Sequence, residues 1–222
     1  MVSFPLELRS KVGGHLERIY GAAPDNMINE VLQRMDYERI VSDHPPGKNY
    51  WDESRAILIT YGDSIISPTE PPLASLNEFV EQRLGDVVSD VHILPFFPSS
   101  SDDGFAVKDY LSVDGELGQW SDIELICENR GLLVDLVINH CSSEHPWFEQ
   151  FKSNASPGKD FFVEVDPLSD LSKVVRPRTS ELLRETERED GSTFVWCTFS
   201  HDQVDLDFAN PEVLKELSLI HI

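Results

Sequence analysis

The first fifty residues place apolar side chains at helical spacing and lack strand-like alternation. One predicted helix carries on one side Leu8, Val12, Leu16 and Ile19. A second helix, which Asp25 can cap, carries Met27, Ile28, Val31, Leu32 and Met35. Surface helices normally bury their apolar face, so residues 1–50 are predicted to form a helical arm that packs on the main domain. An arm that binds a partner is the alternative.

From residue 51 onward, apolar runs typical of buried strands alternate with helical segments. Runs at 56–61, 91–96 and 132–137 predict three strands, the first covered on both faces. Between them, the capping-box patterns Ser75–Glu78 and Ser121–Glu124 predict the starts of two helices, which end at Gly85 and Gly131. This order predicts a parallel α/β sheet, either doubly wound or part of a barrel.

The alternation stops after the third strand. Residues 141 to about 195 are polar and irregular, and an insertion of this kind commonly forms a wall or lid over a ligand site. Within it, the run 193–199 predicts one strand. Asn210 and Pro211 predict the N-cap and first residue of a further helix.

Composition and charge narrow the possible partners. The 222 residues include 18 Lys and Arg against 40 Asp and Glu, a net charge of −22. Such a body repels nucleic acid and anionic membrane surfaces, and no apolar run approaches the roughly 18 residues of a membrane span. The 3 cysteines form no CxxC pair, which argues against a disulfide framework and a zinc site. The start lacks the layout of a signal peptide. We therefore expect an acidic, cytoplasmic protein without a cofactor.

Candidate chemistry lies where the predicted strands end. Asp102 and Phe105 follow the second strand, and Asp135, Asn139 and His140 follow the third. The carboxyl ends of parallel strands form one rim, where ligands bind. Carboxylate, amide and aromatic groups together suit a polyhydroxylated ligand, since an aromatic ring packs on the C–H face of a sugar. Taken singly, each residue could instead be a loop cap or turn residue, but their occurrence at successive strand ends favours a site.

Three motifs in this region resemble the α-amylase superfamily. They are the segments 135–140, 104–110 and 203–207, the last followed by Asn210 and Pro211. The resemblance implies the N-terminal part of a (β/α)8 TIM barrel with a domain B insertion after strand 3, preceded by the helical arm. The implied domains are the arm (1–50), three β/α units (51–140), domain B (141–200) and a return to the barrel (201–216).

Within this superfamily the chain is similar to the sucrose-phosphorylase subfamily. The similarity lies in the segments 94–98, 101–105 and 176–178. The arm, Trp51–Ser54 and the 102–105 variant look more like the glucosylglycerate phosphorylases of that subfamily. The resemblance implies transfer of an α-glucosyl group from a small glucoside to phosphate, by double displacement with retention.

The resemblance also implies roles for the residues at the strand ends. Asp102 would hydrogen-bond a distal hydroxyl of the glucosyl ring, Phe105 would stack on the ring, and His140 would donate to the O6 hydroxyl. Asp135 and Asn139 would brace the strand end. The residue that matches Asn139 binds calcium in some amylases, but this subfamily generally lacks the ion, so no metal is predicted.

Arg176 and Arg178 are candidate anion ligands on physical grounds as well. Phosphate and glycerate are repelled by a body of charge −22, so a site for them needs local positive charge. The planar guanidinium fork suits phosphate and carboxylate alike. Surface arginines that balance nearby acids are the alternative.

The resemblance places the nucleophilic Asp and the acid/base Glu after the 203–207 motif, beyond residue 222, so a truncated and inactive chain is expected. Residues 217–222 also read as the translation of a sequencing adapter. Two other functions stay open: an α-glucoside hydrolase of the same superfamily, and a non-enzymatic sugar-binding module.

Overall fold

The computed structural model describes residues 4–34, 52–85, 87–176 and 178–218. By contacts the chain divides into two compact units, residues 1–48 with 206–222 and residues 49–205. The predicted Met35 and Trp51, together with Pro177 and residues 219–222, lie outside the described residues. The predicted domain boundaries and the assignment of residues 217–222 to a sequencing adapter stay predictions. Leu217, the first residue of that segment, is helical and buried.

The described part of the first unit contains three helices, α1 (Leu6–Tyr20), α2 (Asp25–Arg34) and α6 (Pro211–Leu217). The two helices of the predicted arm are thereby confirmed. They enclose a core of Phe4, Leu16, Met27, Ile28 and Leu32. Ile19, the last of the predicted apolar positions on α1, is exposed.

Small and charged residues fix the packing within this unit. A Cβ at Gly13 would lie 3.0 Å from Ile28 Cδ1, so the glycine that weakens α1 also lets α2 approach it. Arg34 of α2 donates to the Lys215 carbonyl at 2.9 Å and pairs with Glu216 at 3.2 Å. As predicted, Asn210 caps α6 by accepting from the Glu212 amide at 3.0 Å.

The second unit contains a parallel sheet of β1 (Ile57–Thr60), β2 (Asp90–Ile93) and β3 (Gly131–Val134), in that order. The connecting helices are α3 (Pro72–Leu84) and α4 (Trp120–Cys127). In register, Ile59 lies beside His92, which lies beside Leu133. The predicted strand–helix alternation is confirmed, and it brings the ends of the three strands to one edge.

Both predicted helix starts in this unit are wrong by a few residues. Helix α3 begins at Pro72, because proline suits a first helical position where no N–H is needed; Ser75 lies inside the helix and donates to the Pro71 carbonyl. Helix α4 begins at Trp120, because Gln119 and Asp122 form the capping box instead of Ser121 and Glu124.

The prediction that β1 is covered on both faces is also wrong for the described residues. Ile57 and Ile59 are 42% and 62% exposed. Strand β1 is the edge of the three-stranded sheet and pairs with β2 alone among the described strands. An apolar run therefore predicted the strand but not its surroundings.

The insertion begins and ends on one pair of strands. Strand β4 (His140–Ser142) pairs antiparallel with β7 (Gln203–Asp205), with His140 opposite Asp205. Between them lie α5 (Pro146–Lys152) and a hairpin of β5 (Leu183–Arg188) and β6 (Gly191–Trp196). The predicted strand in this segment is β6.

Replacing a core leucine of the first unit should cost far more stability than replacing a surface leucine. Leu32 is 1% exposed and Leu6 is 85% exposed. We expect Leu32→Ala to lower the free energy of unfolding by about 2–5 kcal/mol and Leu6→Ala to change it by less than about 0.5 kcal/mol. Urea titration measures both. Equal effects would contradict the described core.

Stability should also depend on the protonation of His145, which caps α5. Its Nδ1 accepts from the Trp147 amide at 3.0 Å. Burial lowers the pKa of His145 to about 4, although Asp109 acts to raise it. Between about pH 6.5 and 4 the unfolded chain binds a proton at this ring that the native chain does not, so stability falls as the pH falls.

From pH 6.5 to 5 this single ring should remove about 2 kcal/mol of unfolding free energy. His145→Asn keeps a side-chain acceptor for the cap without a titrating group, so its stability should fall less over this range. His15→Asn, at an exposed position, is the matched control. Parallel pH profiles for wild type and His145→Asn would contradict this role for His145.

Candidate functional site

A cavity of about 440 Å³ opens at the carboxyl ends of the parallel strands. It is lined by Tyr61, Asp102, Asp103, Phe105, Asp135, Leu136, Val137, Asn139, His140, Arg178, Phe199 and Gln203. The residues after each strand and three residues of the insertion therefore converge here. Of the predicted site residues, only Arg176 is not among those lining the cavity.

The loop after β2 presents Asp102 and Phe105 through an unusual backbone turn. Asp102, Asp103 and Gly104 all have positive φ, at 55°, 50° and 99°. A Cβ at Gly104 would overlap the carbonyl oxygen of Pro95, so a glycine is needed here for space as well as for its backbone angles. The Phe105 amide donates a hydrogen bond to the Asp102 carbonyl at 3.0 Å, which closes the turn.

His140 is held in the wall of this cavity. It is 4% exposed, and its Nε2 lies 2.9 Å from the Phe105 carbonyl oxygen. The Tyr110 hydroxyl donates to the backbone carbonyl of His140 at 2.9 Å. Burial lowers the pKa of His140, which favours the neutral ring. Since a carbonyl can only accept, the proton of the neutral ring lies on Nε2 and Nδ1 is left as an acceptor.

Nδ1 of His140 is buried and has no hydrogen-bond partner among the described residues. Donation from His140 to a ligand hydroxyl stays a prediction. In the geometry described here it would require the ring to turn or to take a second proton. An unturned neutral ring would instead accept a hydrogen bond at Nδ1.

Asp102 links the strand-end loop to the insertion. Gln203 Nε2 donates to Asp102 Oδ2 at 2.9 Å and lies 3.2 Å from His140 Nε2. Arg178 Nη2 lies 3.7 Å from the same Asp102 oxygen, and both side chains remain nearly half exposed. The Asp102 carboxylate can therefore accept a hydrogen bond from a ligand as well.

The two predicted arginines differ in position. The Arg178 guanidinium lies 5.8 Å from the centre of the Phe199 ring and lines the cavity. Arg176 donates to the Thr198 carbonyl at 3.2 Å and to Ser180 Oγ at 3.3 Å. Arg178 thus offers its charge to the cavity, whereas Arg176 ties its own segment to the end of β6.

Asp135 and Asn139 follow β3 and line the cavity floor. Asp135 Oδ2 lies 2.9 Å from Nε2 of His92 on the neighbouring strand. This contact joins the ends of β2 and β3, and it supports the bracing role expected of Asp135. Among the residues that the structure describes, no equivalent contact is found for Asn139, whose bracing role stays a prediction.

Two absences apply only to the part of the chain that the structure describes. Within it, no group of three or more His, Cys, Asp or Glu side chains is arranged to hold a metal ion. Likewise, none of its helices is both long enough and apolar enough to pass through a bilayer. The expected lack of a metal stays a prediction.

Six residues that line the cavity were not among the predicted site residues: Tyr61, Asp103, Leu136, Val137, Phe199 and Gln203. Tyr61 directly follows β1, so its strand-end position was an available signal. Gln203 stands in the motif 203–207, but that motif by itself gives no contact with Asp102. Phe199 follows β6, and only the folded insertion brings it within 5.1 Å of the His140 ring.

Comparison with known proteins gives the family. A profile of the alpha-amylase catalytic domain matches residues 82–221. The chain belongs to the alpha-amylase family. Glucosylglycerate phosphorylases of Allomeiothermus silvanus and Escherichia coli are 47% and 40% identical to it over 98% and 93% of the chain. The sucrose phosphorylase of Streptococcus mutans is 35% identical over 75% of the chain.

These relatives are much longer than the chain, which spans 38%, 37% and 35% of their lengths. The solved sucrose 6F-phosphate phosphorylase of Thermoanaerobacter thermosaccharolyticum superimposes with a TM-score of 0.64 at 32% identity, over 75% of this chain and 36% of that one. The predicted resemblance to the sucrose-phosphorylase subfamily is confirmed, and so is a fold that forms part of a (β/α)8 barrel.

A glycine should be required at position 104 in the turn after β2, whereas Gly115 should tolerate alanine. Gly104→Ala should lower the free energy of unfolding by about 2 kcal/mol or more, since it combines a clash with a left-handed backbone. Gly115→Ala is the matched control, because a Cβ there meets nothing within 4 Å. Thermal or urea unfolding compares the two, and equal losses would argue against the described turn.

Proposed function

We propose that this chain belongs to a cytoplasmic glycoside phosphorylase that transfers an α-glucosyl group from a small glucoside, such as glucosylglycerate or sucrose, to phosphate. The observation that carries this proposal is one cavity with two chemically different sides. Asp102, Phe105 and His140 lie on the side of the strand ends, and Arg178 lies on the side of the insertion. The names of the relatives support the same activity.

The strand-end side suits a glucosyl ring. The Phe105 ring provides an apolar surface for the C–H face of a sugar, and the Asp102 carboxylate accepts from hydroxyls. His140, neutral through burial, adds a hydrogen-bonding group without a full charge. Together these groups bind a neutral polyol without metal ligands.

Arg178 suits the anionic partner in the reaction. Phosphate, or the carboxylate of a glycerate acceptor, must approach a chain of net charge −22, and a fixed guanidinium offsets that repulsion locally. Arg176, bound to Thr198 and Ser180, would act mainly by supporting the segment that carries Arg178. Both arginines thus serve the acceptor side, by different routes.

By resemblance to the family, the reaction would be a retaining double displacement. A carboxylate would attack the anomeric carbon, a second carboxyl group would protonate the leaving oxygen, and phosphate would then take the glucosyl group. We propose that both catalytic carboxyl groups belong to a part of the enzyme beyond residue 222. The 222-residue chain would then bind ligands without turning them over.

The activity can be tested in a full-length enzyme. Residues 1–218 would replace the matching segment of the Allomeiothermus silvanus glucosylglycerate phosphorylase. We expect release of glucose 1-phosphate from glucosylglycerate or sucrose only when phosphate is present. Equal glucose release with and without phosphate would favour a hydrolase, and binding without any turnover would favour a sugar-binding module.

In this enzyme the substitution Arg178→Ala should raise the KM for phosphate about 10- to 100-fold, the loss expected for one charge-assisted hydrogen bond. Hydrolysis of the donor by water should change much less. Arg176→Ala is the comparison variant, and its effect on the KM for phosphate should be smaller. An unchanged KM in Arg178→Ala would remove the anion-binding role from this residue.

A further inference from the structure

Asp202 receives hydrogen bonds from serines on two separate segments. Its Oδ2 accepts from Ser100 Oγ at 2.6 Å and from Ser101 Oγ, both in the loop after β2. Its Oδ1 accepts from Ser143 Oγ at 2.7 Å, and Ser142 Oγ at the end of β4 lies 3.5 Å from the same oxygen. One carboxylate next to β7 thus joins the strand-end loop to the start of the insertion.

The hydrogens of this cluster can be placed without ambiguity if Asp202 is ionised. Burial acts to raise its pKa, but the hydrogen bonds from Ser100, Ser101 and Ser143 outweigh burial and lower it. An ionised carboxylate only accepts, so each of these hydroxyls must donate to it. Ser142 Oγ accepts from the Glu144 amide and can direct its own hydrogen to Ser100 Oγ. These donors together fix the orientation of the carboxylate.

The two loop serines immediately precede the left-handed turn. Asp102 and Asp103 have φ of 55° and 50°, and non-glycine residues hold such angles only where their surroundings enforce them. The Ala106 amide donates to the Ser101 carbonyl at 3.2 Å, and the Ser100 amide donates to the Ala106 carbonyl at 3.0 Å. Hydrogen bonds of the Ser100 and Ser101 side chains, together with backbone hydrogen bonds, therefore fix the segment that enters the turn.

We propose that Asp202 is a positioning residue that holds Asp102 in place through Ser100 and Ser101. The carboxylate does not line the cavity. It anchors the entry to the turn from which Asp102 reaches Gln203 and Arg178. This inference rests on the proposed function in one respect only, because it assumes that Asp102 binds the glucosyl ring.

The first test measures the backbone of the 222-residue chain and needs no activity. In Asp202→Asn, the amide group that replaces one oxygen donates and cannot accept from the serines. We expect hydrogen exchange at the Phe105 and Ala106 amides to rise about tenfold or more, while amides of the parallel sheet change less than about threefold. Asp122→Asn is the matched control, because this carboxylate caps α4 and accepts from the Gln119 amide.

A second pair of variants separates the hydrogen bond from general stability. Ser101→Ala removes one hydroxyl, whereas Ser101→Thr keeps it at an exposed position. Exchange at Phe105 and Ala106 should rise in Ser101→Ala and return close to wild type in Ser101→Thr. If Asp202→Asn fails to fold, the two Ser101 variants still show whether the hydrogen bond between Ser101 and Asp202 holds the turn. Equal exchange in the two variants, or unchanged exchange in folded Asp202→Asn, would overturn the proposal.

Kinetics of the full-length enzyme then connect the turn to the substrate. Asp202→Asn should lower kcat/KM for the glucosyl donor about tenfold or more and raise the KM for phosphate by a clearly smaller factor, because Arg178, although 3.7 Å from Asp102, is carried by another segment. An equal loss for donor and phosphate would contradict selective positioning of Asp102. If the enzyme lacks phosphorylase activity, the proposed function fails, while the exchange data still decide the role of Asp202.

Discussion

The antiparallel pairing of β4 with β7 is the constraint on which the rest of the site depends. It closes the base of the insertion and sets His140 opposite Asp205 and Ser142 opposite Gln203. In this register Gln203 reaches both Asp102 and His140, residues of the two preceding strand-end segments. Displacing the register by one residue would turn Gln203 to the other face of the pair. Three opposed residue pairs along two short strands therefore set one wall of the cavity.

The same pairing governs the electrostatics of the cavity. Burial raises the pKa of Asp205, although the Thr198 amide and hydroxyl hydrogen-bond its carboxylate and act to lower it. Burial also lowers the pKa of His140, which favours its neutral ring. Among the described residues that line the cavity, Arg178 brings positive charge and lies 3.7 Å from Asp102 at the half-exposed rim. A neutral ring and a guanidinium in one cavity would suit the proposed substrates, which have a neutral and an anionic part.

Much of this arrangement could be predicted from the sequence, but for different reasons at different residues. The order of strands and helices follows from apolar runs and caps, and Asn210 capped α6 as expected because that signal is local. The strand-end rule placed Asp102, Phe105 and His140 in one cavity. It could not distinguish Arg178 from Arg176, since their separation depends on how the insertion folds. The left-handed backbone angles of Asp102 and Asp103 could not be predicted from the sequence either. The contacts that enforce them come from residues about a hundred positions away, such as Asp202.

We propose that one cavity holds a glucosyl ring on its strand-end side and an anion at Arg178. A crystal structure of the full-length enzyme with glucose 1-phosphate would show where both groups bind. We expect the ring on Phe105, with hydroxyls hydrogen-bonded to Asp102 and His140, and the phosphate within hydrogen-bond distance of Arg178. A sugar bound in the neighbouring acidic cavity of Asp63, Asp114 and Glu116, or a phosphate remote from Arg178, would contradict it.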